Sequence, residues 1–272
     1  TRSIRIGTGG IMLPYYSTFK IAEQFKMLEA LYPGRVDLGV GRAPGGHPST
    51  ARLLFDGKPM GGEGDFINQL AELSAIFKGT VPEGHPLREE RVNPAVETAP
   101  ELWVLGSSDG GASFAAHLGM RFAFAHFINA YTGAGVARAY RQQFRPGHEA
   151  RPHLALAVLA IVADDRAEAQ RIEKAMLMRW ALTALGRNRT VPTLAEADAY
   201  EMSEKERRIA ERDRPRAIIG TAQEVTSRIE ALADQFQADE VILVSMAPGY
   251  ELRTRTLEQM AGAWGLREAP SA

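Results

Sequence analysis

Residues 4–14 read Ile4-Arg5-Ile6-Gly7-Thr8-Gly9-Gly10-Ile11-Met12-Leu13-Pro14. Ile4 and Ile6 alternate with polar neighbours, the period of a strand with one buried face. The strand then runs into paired glycines, a short apolar run and a proline. Glycine has no Cβ and accepts backbone conformations closed to other residues, so a strand ending in Gly9-Gly10 lets another group come close to its backbone. The spacing also excludes a fold. Gly7-x-Gly9-Gly10 is followed by Met and Pro and not by a helix, so it is not the G-x-G-x-x-G turn of a dinucleotide-binding unit.

Working outward from this strand, the chain alternates strands with helices. Ser17 or Thr18 can cap a helix whose apolar face is Ile21, Phe25, Leu28 and Leu31, stopped by Pro33-Gly34. Arg35 to Gly41 is a second strand. A Gly/Pro-rich loop, Arg42 to Pro48, and a polar stretch to Asp65 precede a helix marked by Phe66, Leu70, Leu73 and Phe77. Residues 79–100 are proline-dotted and irregular. Leu102–Gly106, Phe122–Phe127 and His153–Ala163 are further strands, each followed by a helix; the last is apolar nearly throughout, as a strand buried on both faces must be. Residues 186–216 are highly charged and read as a mobile excursion or a short solvated helix. Thr221-x-x-Glu224 is a capping box, and Val241–Val244 is the final strand before a helix carrying Leu257, Met260 and Trp264.

About six βα units in succession, without antiparallel hairpins, imply a parallel sheet covered by helices. The α/β architecture expected is a (β/α)8 TIM-barrel type in a single domain over 1–272. The chain opens on Thr1 and enters a strand almost at once, which suits a barrel whose first two βα units are absent from this sequence. An open doubly wound sheet is the alternative.

The 272 residues hold 32 Lys plus Arg against 33 Asp plus Glu, a net charge of −1 that gives no support to nucleic-acid binding. With no cysteine there is no disulfide framework, thiolate metal site or Cys nucleophile. The longest apolar run, Leu154–Ala163, is about half of what crosses a bilayer, so no membrane partner is expected and the cytoplasm is the default location. No His/Asp/Glu cluster has metal-ligand spacing, and no G-x-S-x-G elbow appears.

Parallel βα folds bind ligands at the carboxyl ends of their strands. The first strand places Gly9-Gly10 there, the second Gly41-Arg42 and then His47, the third Gly106-Ser107-Ser108 and Gly111, the fourth His126 and Asn129. Small and hydroxyl residues leading into a helix N-terminus make an anion cradle, and Arg42 from the neighbouring strand end can add a forked pair of hydrogen bonds to a phosphate. The plainer alternative is that the serines only cap the helix and Arg42 pairs with a surface carboxylate. Glu23, taken alone, reads as a solvated surface charge, His126 as a ligand donor or a satisfied wall histidine, and His47 and His85 as exposed loop residues.

Ile6–Pro14, Ala22-Glu23-Gln24-Phe25, Pro33–Gly45, Leu102–Ser108 and Ile219-Gly220-Thr221 with Glu224 together resemble the bacterial luciferase-like flavin monooxygenase family, in its single-chain branch. The resemblance implies a barrel that begins with two further βα units, the second usually bearing a catalytic histidine. No residue of this chain maps onto it, so no catalytic residue is assigned. Gly9-Gly10 then corresponds to a bulge, commonly with a non-proline cis peptide, against the flavin ring. Glu23 falls near the flavin. Arg42, next to Gly41, falls on the phosphate-binding arginine, and Ser107, Ser108 and Gly111, with Gly106, around the same phosphate. Asn68 stands roughly where some relatives carry a second phosphate arginine. The substrate lid corresponds to 186–216 or to the loop after Pro48. The implied chemistry is oxygenation of a small organic substrate (an aldehyde, ketone or sulfur compound) by O2 and reduced FMN, the latter supplied by a transient flavin reductase partner. A homodimer through the early helices is expected. The alternatives are a deazaflavin (F420)-dependent reductase or dehydrogenase on the same fold, and a flavin-binding protein without turnover.

Overall fold

The structure is a computed structural model that describes residues 1–43, 48–55, 62–187 and 190–266. They form two compact units: Thr1–Phe124 with Gly135–Leu154, and Ala125–Ala134 with the chain from Ala155 onward.

The first unit carries β1 (Ile6–Gly7), β2 (Ile11–Met12), α1 (Thr18–Leu31), β3 (Val36–Gly41), α2 (Pro48–Leu54), α3 (Glu63–Lys78), α4 (Pro86–Glu89), β4 (Glu101–Gly106), α5 (Asp109–Leu118) and β5 (Arg121–Ala125), with α6 (Gly133–Gln143) beyond. Its strands pair in parallel: β1 and β2 both lie along β3, β3 pairs β4, and β4 pairs β5. Leu38, Val40, Leu102, Val104, Phe122 and Phe124 are fully buried. Gly39, Trp103 and Ala123, which stand between them, are buried too, so both faces of these strands are covered, as in a parallel sheet with helices over it.

The opening strand is split in two, and the register gives the reason. Gly7 pairs Asp37 and Ile11 pairs Val40, so four residue steps on one strand face three on the other. One residue is extra, which defines a bulge. The Thr8 hydroxyl holds the bulge to β3: it donates to the Gly39 carbonyl oxygen (3.0 Å) and accepts from the Gly39 N–H (3.2 Å).

On α1 the buried face differs from the expected one. Ile21, Ala22 and Phe25 are buried, but Leu28 and Leu31 are 40% and 62% exposed, and Glu29 is buried in their place. The Glu29 carboxylate accepts the Gly34 N–H at 2.6 Å, so it ties down the turn that leads into β3. A local hydrogen bond thus decides which face points inward. At the amino edge of the sheet, Arg5 pairs with Asp37 (2.7 Å) and Glu101 (3.2 Å), and Arg121 bridges Glu101 and Glu149. This edge is a structural charge network, away from the carboxyl ends where ligands bind.

The second unit holds β6 (Leu154–Val162), α7 (Arg166–Ala184), α8 (Leu194–Ala199), α9 (Glu204–Asp213), β7 (Ala217–Gly220), α10 (Ala222–Phe236), β8 (Glu240–Val244) and α11 (Tyr250–Ala263). All nine residues of β6 are buried, in line with its unbroken apolar sequence. β7 and β8 pair with it in parallel. β7 is a strand that the sequence reading leaves out: it is four residues long and follows the charged stretch directly, so no alternation has room to show.

The charged stretch 186–216 is helical over much of its length. α8 and α9 each begin with a capping box, Thr193 with Glu196 and Ser203 with Glu206. Ala197, Glu206, Ala210 and Asp213 are buried. The Glu206 carboxylate accepts from Ser203 N–H and hydroxyl (2.7 and 2.8 Å), from the Tyr200 hydroxyl (3.0 Å) and from Arg187 (2.9 Å). Asp213, the other buried carboxylate, accepts from Arg212 (3.0 Å). A charged sequence can therefore bury one face, because its inward carboxylates are engaged. The polar stretch after Pro48, expected to be irregular, contains the helix α2.

Candidate active site

The site predicted from sequence lies at the carboxyl edge of the first unit's sheet. Met12 pairs Gly41, and Val40 pairs Val104. Carrying that register forward sets Arg42 beside Gly106, one residue before Ser107. β3 and β4 thus deliver Gly41-Arg42 and Gly106-Ser107-Ser108 to one edge, while Gly9-Gly10, between β1 and β2, lies level with Gly39 inside β3. Glu23 comes from α1.

The two glycines of the bulge differ in what surrounds them. A Cβ on Gly10 would collide with Leu105 Cδ1 and stand 2.8 Å from the Gly39 carbonyl oxygen; one on Gly39 would collide with the Thr8 carbonyl oxygen and stand 3.1 Å from Leu105 Cδ1. These positions are glycine because backbone and Leu105 pack directly on them. A Cβ on Gly9 would meet nothing within 4 Å. Gly9 therefore has open space where a side chain would stand, while its neighbour seals the bulge against the sheet. The Gly9–Gly10 peptide is cis.

At the end of β4, Gly106 faces Gly111 in the first turn of α5: a Cβ on either would stand 3.6 Å from the other's Cα. The start of α5 thus lies in ordinary van der Waals contact with the end of β4. Ser108 occupies the N-cap with extended backbone angles, and its side chain makes no capping hydrogen bond. This weighs against the reading in which Ser108 merely caps the helix. The half-buried Ser107 and the exposed Arg42 flank it. A helix N-terminus, two serines and an arginine at neighbouring strand ends are groups of the kind that bind a phosphate, with Asp109 in the same first turn.

Other candidates fall elsewhere. Glu23 is ion-paired with Lys20, one turn earlier on α1, as a solvated charge would be. Asn68 is exposed on α3. Asn129 uses its side-chain oxygen to accept the Tyr131 and Thr132 N–H groups and its amide to donate to the Thr132 hydroxyl, so it forms a turn. His85 caps α4 by accepting from Leu87 N–H, and its Nε2 stands 3.4 Å from Glu72. His47 lies outside the described residues.

His126, in the second unit, is 4% exposed; its ring packs edge-on against Phe236 at 6.1 Å between centroids. Its Nδ1 makes no hydrogen bond among the described residues. Burial first, and then Arg228, push its pKa below the ordinary 6.5. The same direction holds for His148, through burial and then Lys78. A base with a folded pKa below its unfolded value is less protonated in the folded protein. Its stabilising contribution is therefore present above about pH 6.5 and lost as pH falls towards the folded value, by at most about 1.4 kcal/mol per pH unit for one proton. Melting temperature should fall from pH 7 to pH 5, and His126→Gln should flatten the slope; an unchanged slope in that variant would refute this role.

Comparison with known proteins agrees with the geometry. Residues 1–238 match the family model described as luciferase-like monooxygenase. The chain is 35% identical over 262 residues to the uncharacterized protein YceB of Bacillus subtilis, covering 96% of this chain and 79% of that protein. It is 35% identical over 247 residues to the N-acetyl-S-alkylcysteine monooxygenase of the same organism, covering 89% and 72%. Among solved structures, apo-MsnO8 superimposes with a TM-score of 0.83 at 32% identity over 99% of this chain and 80% of that one. With its βα repeat and its parallel strand pairs, the chain belongs to the luciferase-like monooxygenase family.

Proposed function

We propose that this chain binds reduced FMN, supplied by a separate flavin reductase, and uses O2 to oxygenate a small organic substrate. The observation that carries the reading is the pairing of open space over Gly9 with an α5 N-terminus, following β4, whose N-cap serine does not cap. These features fit the two ends of the cofactor, a flat ring and a phosphate. Bound reduced flavin would supply two electrons, so that one atom of O2 enters the substrate and the other leaves as water.

The chain's own residues have simpler tasks. Arg42, Ser107, Ser108 and the first-turn amides of α5, next to Gly106 and Gly111, hold the phosphate. Gly9 offers backbone to the ring and Gly10 keeps that backbone seated on β3 and Leu105. Gly41 lets the chain pass between the two. Glu23 enters this reading through its family position alone. A homodimer through the early helices and a cytoplasmic location belong to the same reading; α1 presents Met27, Leu28 and Leu31 at its surface.

The test is titration with FMN, riboflavin and F420, followed by flavin fluorescence, together with O2 uptake and substrate loss in the presence of a flavin reductase. The expected result is micromolar binding of FMN and substrate loss coupled to O2 uptake. Preference for F420 would move the assignment to a deazaflavin-dependent dehydrogenase. Binding without turnover of any aldehyde, ketone or thioether would point to a flavin-binding protein, and the absence of flavin binding would refute the proposal.

A further inference from the structure

The second unit contains a cluster of positive charge that the flavin reading does not use. Arg179 on α7 is partly buried. Among the described residues its only hydrogen-bond contact is Nη1 to the Met246 sulfur at 3.9 Å, and its buried Nε has no partner. Two further guanidiniums are close enough to act on it: Arg216 and Arg253, together with burial as the largest cause, push its pKa down from the ordinary arginine value.

These neighbours are held by backbone carbonyls. Arg216 Nε donates to the Phe127 carbonyl oxygen (2.8 Å), and its guanidinium lies 5.4 Å from the centre of the Trp180 ring. Arg253 Nε donates to the Ala247 carbonyl oxygen (3.1 Å). A negative charge at hand is Asp213, at 3.5 Å from Arg216, and it already accepts from Nε and Nη2 of Arg212. The Ser245 hydroxyl, next to Met246 in sequence, is buried without a hydrogen bond among the described residues. The surroundings are otherwise apolar: Trp180 and Ala247 are buried, with Phe127 and Met246 packed against the same cluster.

Like charges gathered in a partly apolar place destabilise the empty protein, and a buried charge without a partner is costly. Such an arrangement makes physical sense when an anion completes it. We propose that Arg179, Arg216 and Arg253, with the Ser245 hydroxyl, form a binding site for an organic carboxylate, whose charge meets the guanidiniums and whose apolar body lies against Trp180 and Met246. Forked guanidiniums suit the flat carboxylate group, and the aromatic and thioether walls favour an acid with an apolar body over an inorganic anion.

The site is tested without flavin, so its failure is distinct from failure of the flavin reading. Calorimetric titration of the full chain with hexanoate, hexanamide and inorganic phosphate should show binding of hexanoate well above that of the other two. Arg179→Gln should weaken hexanoate by about tenfold or more and, by relieving like-charge repulsion, raise the melting temperature of the ligand-free protein. Arg253→Gln, at a more exposed position, should weaken hexanoate likewise and keeps the test open if the first variant misfolds. Equal binding of hexanoate and hexanamide, phosphate binding as tightly as hexanoate, or an Arg179→Gln protein that melts lower with unchanged hexanoate affinity would each overturn the proposal.

Discussion

Gly10→Ala should cost roughly 1–3 kcal/mol of folding stability, whereas Gly9→Ala should fold like the wild type and bind FMN more weakly. The two residues are adjacent in one bulge, yet their surroundings are opposite. The added carbon on Gly10 has nowhere to go: Leu105 could turn away, but the Gly39 carbonyl at 2.8 Å is backbone of the central strand and cannot. The bulge would have to lift off β3 and pull on the Thr8–Gly39 hydrogen bonds that hold it. The added carbon on Gly9 enters open space, so the apo protein has no reason to change. If that space receives the flavin ring, the methyl group stands in its way, and a weakening of FMN by about tenfold, or 1.4 kcal/mol, is the expected scale. Thermal melts and FMN titrations of both variants check this. A Gly9→Ala protein with wild-type stability and wild-type FMN affinity would show that the ring lies elsewhere.

Arg42→Ala should weaken FMN by about 1.5–3 kcal/mol, the worth of a charged hydrogen bond, and leave riboflavin nearly unchanged. FMN and riboflavin share the ring and the ribityl chain and differ in the phosphate. Register sets Arg42 at the edge beside Gly106, next to the α5 N-terminus, so its charge adds to that of the helix end. The loss should shrink with added salt, because Arg42 is exposed and its interaction with phosphate is screened. Parallel titrations at two ionic strengths provide the check. Equal losses for both ligands would argue that Arg42 supports the loop and does not touch phosphate.

Much of the fold was legible because its strongest signals are local. The unbroken apolar run of β6 reads as a doubly covered strand and is one. Thr221-x-x-Glu224 reads as a capping box and forms one, with Glu224 accepting the Thr221 N–H at 3.0 Å. The bulge was legible as a strand ending in glycines, but its cause is a register mismatch against β3, which depends on pairing with residues about thirty positions away in sequence. α8 and α9 carry the same capping-box spacing as α10, so Thr193-x-x-Glu196 and Ser203-x-x-Glu206 could have revealed both helices; their charge hid them. The face of α1 was misread because apolar periodicity cannot anticipate a carboxylate drawn inward by a backbone N–H, as Glu29 is by Gly34. The shared edge of Gly41-Arg42 and Gly106-Ser107-Ser108 was legible because βα topology sends strand ends there. The arginine cluster was not, since Arg179, Arg216 and Arg253 lie on separate elements and carry no motif.

Where the flavin sits is tested most directly by a structure of the FMN complex. The phosphate is expected on Ser107, Ser108 and the α5 N-terminus with Arg42 reaching it, and the flavin ring against the open side of Gly9. A phosphate bound away from the α5 N-terminus, or a ring that leaves the space over Gly9 empty, would contradict this placement.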